Sequence, residues 1–414
     1  MTPESTLEKA RVRMTVNKTR QAEAMERIVS LNEYQLIARQ TDQNKQKGLD
    51  GLPFFLLGLF GEVGTLLSAL KKKQRDRESY VGYSDAIIEE FGDSLWYFTN
   101  IASRASLKLS VLAQKTFRGL RDWDKVKDDS FESFEGIQLK KNDHGSPDSN
   151  AFEAALISLA GKVGLLLHDL DLKKLAKNRD ALSGHLVEVF RALIDAANVA
   201  DVDLAMAAAR NVTKINSRWP KERNYPPLFD EAFSSREQFP RKISIHIFEE
   251  MRNNKIFVIQ QYKGVTIGSP LTDNRIAEDD YRFHDVFHLA YAAILGWSPV
   301  LRALLKMKRK SNSKIDEAED GLRAILIEEG ISTLIFQRAA RLKYFDDIQS
   351  LDYPMLKLIP EFVSGYEVEK CPLWQWEKAI LDGFAVFRKL RYHRRGIVTA
   401  DLKKRSIMFR ELPE

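Results

Sequence analysis

One cysteine, Cys371, stands in 414 residues, so no intrachain disulfide can form and cysteine-based zinc fingers are excluded. Long apolar runs are missing too. No stretch of 18 apolar residues occurs, and IIEEFGDSLWYFTNIA is interrupted by acids. The opening segment MTPESTLEKARVRM is charged throughout and has no apolar centre, so it does not read as a secretory leader. A soluble, cytoplasmic protein with no membrane partner is expected. Nor is there much charge of one sign: 64 Lys and Arg stand against 58 Asp and Glu, a net +6. That suits a polyanionic ligand such as a nucleotide but is too slight to point to nucleic acid. Hydrophobic residues make up 44% of the chain, enough for two or three domains with real cores.

What the chain does contain is a repeated pair of motifs. LFGEVGTLLSALK (59–71) is followed by AIIEEFGDSLWYF (86–98); LAGKVGLLLHDLD (159–171) is followed by HLVEVFRALIDAA (185–197). Leu59, Gly61, Val63, Gly64, Leu66 and Leu67 recur as Leu159, Gly161, Val163, Gly164, Leu166 and Leu167. Apolar spacing makes all four segments helical. Ser84 or Asp85 suits the N-cap of the second helix, and a further helix is expected from about Ser106 to Trp123. The expected organisation is a helical extension over 1–28, a helical domain over 29–140, a polar linker KNDHGSPDSN (141–150) and a second helical repeat over 151–225. A C-terminal domain follows over 240–414. There, ISIHIFEE and KIFVIQQYKGVTIG read as a β-hairpin turning at Asn253–Asn254, with helices from about 281 to 391. The fold class is therefore mainly α: tandem helical bundles, the second degenerate, then an α+β domain.

The first repeat carries the acids. Glu90 and Asp93, three apart, share a helix face. A neighbouring helix presenting Glu62 would close a group of three carboxylates, with Glu89 in support. Such a group repels itself unless a cation neutralises it, and its hard oxygens suit Mg2+ or Mn2+. Aligned motif to motif, the second repeat replaces Glu62 by Lys162, Glu90 by Val189 and Asp93 by Ala192, and keeps Glu188 opposite Glu89.

GEVGT followed by EEFGD resembles the all-α nucleoside triphosphate pyrophosphohydrolases of the MazG type, whose hallmark is EExxE on one helix and ExxD on the next. The resemblance spans roughly 31–125, with an echo over 151–220. It implies a Mg2+ site formed by Glu62, Glu90 and Asp93. It also implies cleavage of a nucleoside triphosphate between its α- and β-phosphorus, giving a monophosphate and pyrophosphate. Gly61 and Thr65 depart from the EExxE pattern. Related enzymes are commonly dimers, so either a homo-oligomer or an internal pseudo-dimer is expected. In the latter, Lys214, Asn216 or Arg218 would reach phosphates held by the first repeat. Phe54, Phe55, Trp96 and Asn100 are candidates for a base pocket, and Lys71 to Lys73 for phosphate attraction. Two other readings stay open: a nucleotide sensor with a weakened site, and chemistry in the C-terminal domain.

In that domain His284 and His288 share a helix face, Asp285 sits beside the first, and Glu328 and Glu329 lie on a later helix. Two His with a carboxylate form a Zn2+ or Fe2+ ligand set; His284, His288 and Glu328 are the candidates. Asp273, Asp279 and Asp280 crowd the same segment, and KMKRK (306–310) reads as a solvated basic loop. LTDN, YRFHDVFHLAY and GWSP resemble the C-terminal domain attached to some MazG-type proteins.

Overall fold

The computed structural model describes residues 30–46, 48–117, 132–138, 149–171 and 179–412. The expected extension over 1–28, most of the linker and the stretch leading to Trp123 lie outside them. The chain divides into two units, Met1–Pro220 and Lys221–Glu414.

The first unit is helical: α1 (Leu31–Gln40), α2 (Leu52–Asp76), α3 (Tyr83–Arg104), α4 (Leu109–Phe117), α5 (Ser149–Asp171), α6 (Arg179–Val199) and α7 (Leu204–Arg218). Ser30 caps α1 by accepting from the Glu33 amide at 3.1 Å. Helix α3 starts earlier than expected, at Tyr83 with Gly82 at the cap, and neither Ser84 nor Asp85 caps it.

The two repeats do not fold side by side as separate domains. Each pairs its own first two helices, α2 with α3 and α5 with α6, and then exchanges its last helix: α7 lies on α3, and α4 lies on α6. Phe98 and Phe190 stack across the centre with ring centroids 4.8 Å apart. The turns into the exchanged helices match in detail. Ser106 and Asp201 both adopt left-handed φ, 57° and 56°. The Leu107 amide donates to Ala102 O at 2.8 Å, and the Val202 amide to Ala197 O at 2.9 Å. Each turn is clamped by a glutamine. Gln35 donates to Leu107 O at 2.8 Å and accepts from the Leu109 amide at 2.8 Å. Gln138 donates to Val202 O at 2.9 Å and accepts from the Leu204 amide at 2.7 Å. Both clamps satisfy backbone groups that a helix start otherwise leaves open.

These shared turns correct the motif alignment by one helical turn. Counting back from them along uninterrupted helices sets Asp93 opposite Glu188, Glu90 opposite His185 and Glu89 opposite Gly184. The expected pairing of Glu188 with Glu89 and of Ala192 with Asp93 is therefore not the structural one.

Two stretches, Gly48–Ser79 and Ser149–Leu170, are long and apolar enough to cross a membrane by length and composition. Leu56, Leu59, Val63, Leu66, Leu156, Leu159, Val163 and Leu166 are buried in this unit's core, whereas Phe54, Leu57, Phe60, Ile157 and Leu165 on the same helices are exposed.

The second unit is built around α8 (Asp285–Leu295), every residue of which is buried. It also contains α9 (Pro299–Leu304), α10 (Ser313–Ala318), α11 (Leu322–Ala340), the short α12 (Tyr353–Leu356) and α13 (Leu358–Val363), and α14 (Leu373–His393). Helix α14 packs on α8, with Phe287 stacked on Phe384 at 4.4 Å.

The strands β1 (Lys242–Arg252), β2 (Lys255–Tyr262), β3 (Val265–Thr266), β4 (Arg395–Asp401) and β5 (Ser406–Arg410) form one antiparallel sheet in the order β3-β2-β1-β4-β5. The β1–β2 turn is where the sequence places it, with Asn253 and Asn254 at φ 50° and 59°. In β1, Ile243, Ile245 and Ile247 alternate inward. Strands β4 and β5 are an addition to the expected hairpin. They are short; β4 pairs on β1, and β5 pairs on β4.

A methyl group at Gly92 would lie 2.7 Å from Ala207 O and 3.0 Å from Asn211 Cβ, whereas Gly61 has nothing within 4 Å. Gly92→Ala is therefore expected to destabilise the first unit by about 1–3 kcal/mol. Gly61→Ala should stabilise it by roughly 0.5–1 kcal/mol through helix propensity. Urea unfolding of the two variants beside the parent measures both signs.

Candidate active site

Helices α2 and α3 bring one oxygen each from Glu62, Glu90 and Asp93 within 4.8 Å of one another. All three side chains are half-buried. Glu62 and Glu90 are hydrogen-bonded to each other, which two carboxylates manage only by sharing a proton. Burial, that bond and the surrounding charges of Glu62, Asp93 and Glu89 push Glu90 up to about 8. Burial also raises Glu62. Asp93 is raised by burial too, against the pull of the Lys214 ammonium.

The exchanged helix α7 completes the site. Lys214 bonds both oxygens of Asp93 and stands 3.4 Å from Glu89. Asn211 donates to Asp93 at 2.8 Å and accepts from the Tyr34 hydroxyl at 3.2 Å. Tyr34 also reaches Gly92 O at 3.4 Å. A chain Tyr34–Asn211–Asp93 thus fixes the carboxylate from three helices. Neither Tyr34 nor Asn211 stands out in the sequence. Tyr34 reads as an apolar position, and Asn211 is one polar residue in a helix end; only the helix exchange brings them to the acids.

The remaining sequence candidates fall in different places. Thr65 is exposed and bonds Gly61 O of its own helix at 3.2 Å, so it adds nothing to the acidic group. The Asn100 amide donates to Trp96 O at 3.0 Å and is buried, which leaves that donor spent inside α3. Trp96 donates to the Thr41 hydroxyl at 3.1 Å and packs near Phe55, which is fully buried beneath the Arg104 guanidinium. Phe54 is exposed. Asn216 is exposed, and Arg218 lies over Trp219. Lys71 and Lys72 are exposed, while Lys73 bonds Arg77 O at 3.0 Å at the end of α2.

The equivalent place in the second repeat holds ions of its own. Lys162 pairs with Glu188 at 3.2 Å, and Arg191 pairs with the same carboxylate. Arg191 also donates to Thr116 O at 3.1 Å on the exchanged α4. His185 lies 2.9 Å from Asp169. Although burial pushes Glu188 up, Lys162 and Arg191 hold it below the ordinary carboxylate value.

In the C-terminal unit, ligand atoms of His284, Asp285 and His288 also lie within 4.8 Å of one another. Glu328 accepts from His288 Nδ1 at 2.8 Å, from Ser298 Oγ at 2.7 Å and from the Val300 amide at 2.9 Å. It supports the histidine from behind rather than facing the cluster. Asp273 and Asp280 are held elsewhere: both pair with Arg282, and Asp280 also with Arg391 and Arg394. Asp279 pairs with Arg275. The KMKRK loop corrects its reading as solvated at one residue: Arg309 is fully buried between Asp320 and Glu367.

Residues 224–413 match the MazG C-terminal domain. A helical bundle with a carboxylate cluster, joined to this domain, is the architecture in hand. That match relates the C-terminal unit to the MazG family. It is also 29% identical over 75 residues to the Gene 37 protein of Mycobacterium phage L5, covering 18% of this chain and 66% of that protein, just under two thirds of it. No solved structure matches the chain.

Glu90 binds its proton more tightly folded than unfolded, so it costs stability once the pH passes the unfolded value near 4.5, increasingly up to about 8. Glu90→Gln removes that cost and keeps a donor to Glu62. It should raise the melting temperature of metal-free protein at pH 8.5, with the gain gone at pH 4.5. Thermal melts of both proteins in chelator read this directly.

Proposed function

We propose that this protein is a Mg2+-dependent nucleoside triphosphate pyrophosphohydrolase, with Glu62, Glu90 and Asp93 as the ligands and Mn2+ as an alternative ion. The observation that carries the reading is the convergence of three half-buried carboxylates beside a lysine supplied by the second repeat. Like charges held this closely fit a divalent cation. When bound, the ion polarises the phosphate chain and lowers the pKa of a ligated water.

The chain's own groups divide the remaining work. Asp93 is kept in one rotamer by Asn211 and Lys214. Lys214 carries the positive charge that meets the triphosphate at the rim. Glu89, within 3.4 Å of Lys214 and outside the three-carboxylate group, is left to orient the attacking water and take its proton. Water adds to the α-phosphorus, the α–β bridging P–O bond breaks, and pyrophosphate leaves with its electrons. The substrate class is the nucleoside and deoxynucleoside triphosphates.

A second reading, nucleotide binding without turnover, draws on Thr65. Where the EExxE pattern has its third acid, this chain has a hydroxyl tied to its own backbone. One experiment separates them: pyrophosphate release from a panel of triphosphates with Mg2+. Turnover is expected in the parent, a loss of at least about 100-fold in kcat in Asp93→Asn, and a KM raised about tenfold or more in Lys214→Ala. His284→Ala should leave turnover unchanged. Saturable binding with no pyrophosphate would favour the sensor.

A further inference from the structure

We infer that the C-terminal unit holds a second metal centre, for a first-row transition ion such as Zn2+, Fe2+ or Mn2+. Its ligands are His284 Nε2, His288 Nε2 and Asp285, with Glu329 closing the solvent side. The inference does not depend on the acidic cluster of the first unit.

The first argument is the direction of the imidazoles. His284 Nδ1 lies 2.9 Å from Tyr281 O, and His288 Nδ1 lies 2.8 Å from a Glu328 carboxylate oxygen. A carbonyl oxygen and a carboxylate that already accepts from Ser298 and Val300 both require an N–H from the ring. In the neutral rings the Nε2 atoms are therefore bare lone pairs. His288 is wholly buried, and its Nε2 has no hydrogen bond. Each lone pair faces oxygens that are themselves acceptors. Asp285 Oδ1 is 3.1 Å from His284 Nε2 and 4.0 Å from His288 Nε2. Glu329 oxygens are 3.9 and 3.4 Å from the same two nitrogens. With both rings neutral these atoms are all acceptors, and the spot calls either for a metal cation or for a proton on His288, which, against the effect of burial, Glu328 and Glu329 favour.

The second argument is spacing. Donors each about 2.1 Å from one ion stand roughly 3.0–3.5 Å apart. The histidine nitrogens stand 3.1–4.0 Å from the Asp285 and Glu329 oxygens, and the ligand atoms of His284, Asp285 and His288 all lie within 4.8 Å of one another, so rotamer adjustments draw them onto one ion. The third is support from outside the ligand set. Glu328 behind His288, the Tyr281 carbonyl and the Tyr281 ring stacked parallel to His284 at 4.4 Å, and Gln260 bonded to Asp285 fix three of the four ligands. Carboxylate-backed histidines of this kind orient metal ligands in known sites. Two imidazoles with carboxylates select a borderline ion over Mg2+. Asp285 and both histidines are buried, while the Glu329 side chain is 35% exposed. The ion therefore enters past Glu329, which leaves that side open to water or a small ligand.

The test uses the full chain. Metal content by mass spectrometry is expected to show one transition ion retained through purification. After chelation, Co2+ should restore one equivalent with visible d–d absorption at unaltered Glu62, Glu90 and Asp93. Glu90→Gln and Asp93→Asn should keep that spectrum; His284→Ala and Asp285→Asn should lose it. Glu328→Gln should weaken Co2+ binding about 10–100-fold. Should His288→Ala unfold, as judged by circular dichroism, the partly exposed Glu329→Gln gives the same answer through weaker binding in a folded protein. Absence of both the retained ion and the Co2+ spectrum in folded parent overturns the inference and leaves a proton-bridged histidine–carboxylate cluster. So does a spectrum that survives His284→Ala and Glu329→Gln together.

Discussion

The close approach of helix α7 to the backbone of α3 at Gly92 is the contact on which the rest of the first unit turns. Without a side chain at that point, Ala207 and Asn211 reach main-chain distance, and everything further along α7 is aimed by it. Asn211 meets Asp93, and one turn on Lys214 meets Asp93 and Glu89. The acids are supplied by the first repeat, but their environment is supplied by the second. A carboxylate cluster on α2 and α3 alone would carry its repulsion in water. Set beneath α7, it is partly dried, has one counter-charge built in, and keeps a shared proton in place of the charge still missing.

The two sites of the pseudo-symmetric pair solve one electrostatic problem in two ways. The first leaves three acids with a single lysine, a deficit of positive charge. The second puts Lys162 where Glu62 stands and adds Arg191 on the helix of Glu188, so that its one remaining acid is outnumbered by bases. A permanent ammonium and guanidinium do there what a dissociable ion would do in the first. Nothing in the second site calls for a cation, and its carboxylate lies below its ordinary pKa while those of the first lie above.

Much of this was legible in the sequence because it rests on periodicity. The helical spacing of Leu59, Val63 and Leu66, the i,i+3 pair Glu90–Asp93, and Asn253–Asn254 between β-branched runs each specify local geometry with no knowledge of partners. What periodicity cannot carry is register between elements. The motif alignment slipped by one turn in α6 because apolar residues recur there at several offsets. The left-handed turns at Ser106 and Asp201, which fix the true register, have no shared residue type. The partners of a carboxylate are equally hidden. Glu328 and Glu329 are neighbours with opposite roles, one backing a histidine from the core and one facing the cluster, and only the packing of α11 on its surroundings separates them. Arg309 reads as solvent-facing in a run of lysines, yet Asp320 and Glu367 take it fully inside.

The exchange of last helices between halves of one chain has an evolutionary consequence. In an assembly of identical subunits, any substitution at a shared position appears in every copy. A base replacing Glu62 would then disable all of them at once. Joining the halves covalently lifts that restriction, since Lys162 and Arg191 change one side only. The second half holds bases in place of those acids while lending Asn211 and Lys214 to the first, so it serves as a buttress to that site rather than as a second copy of it.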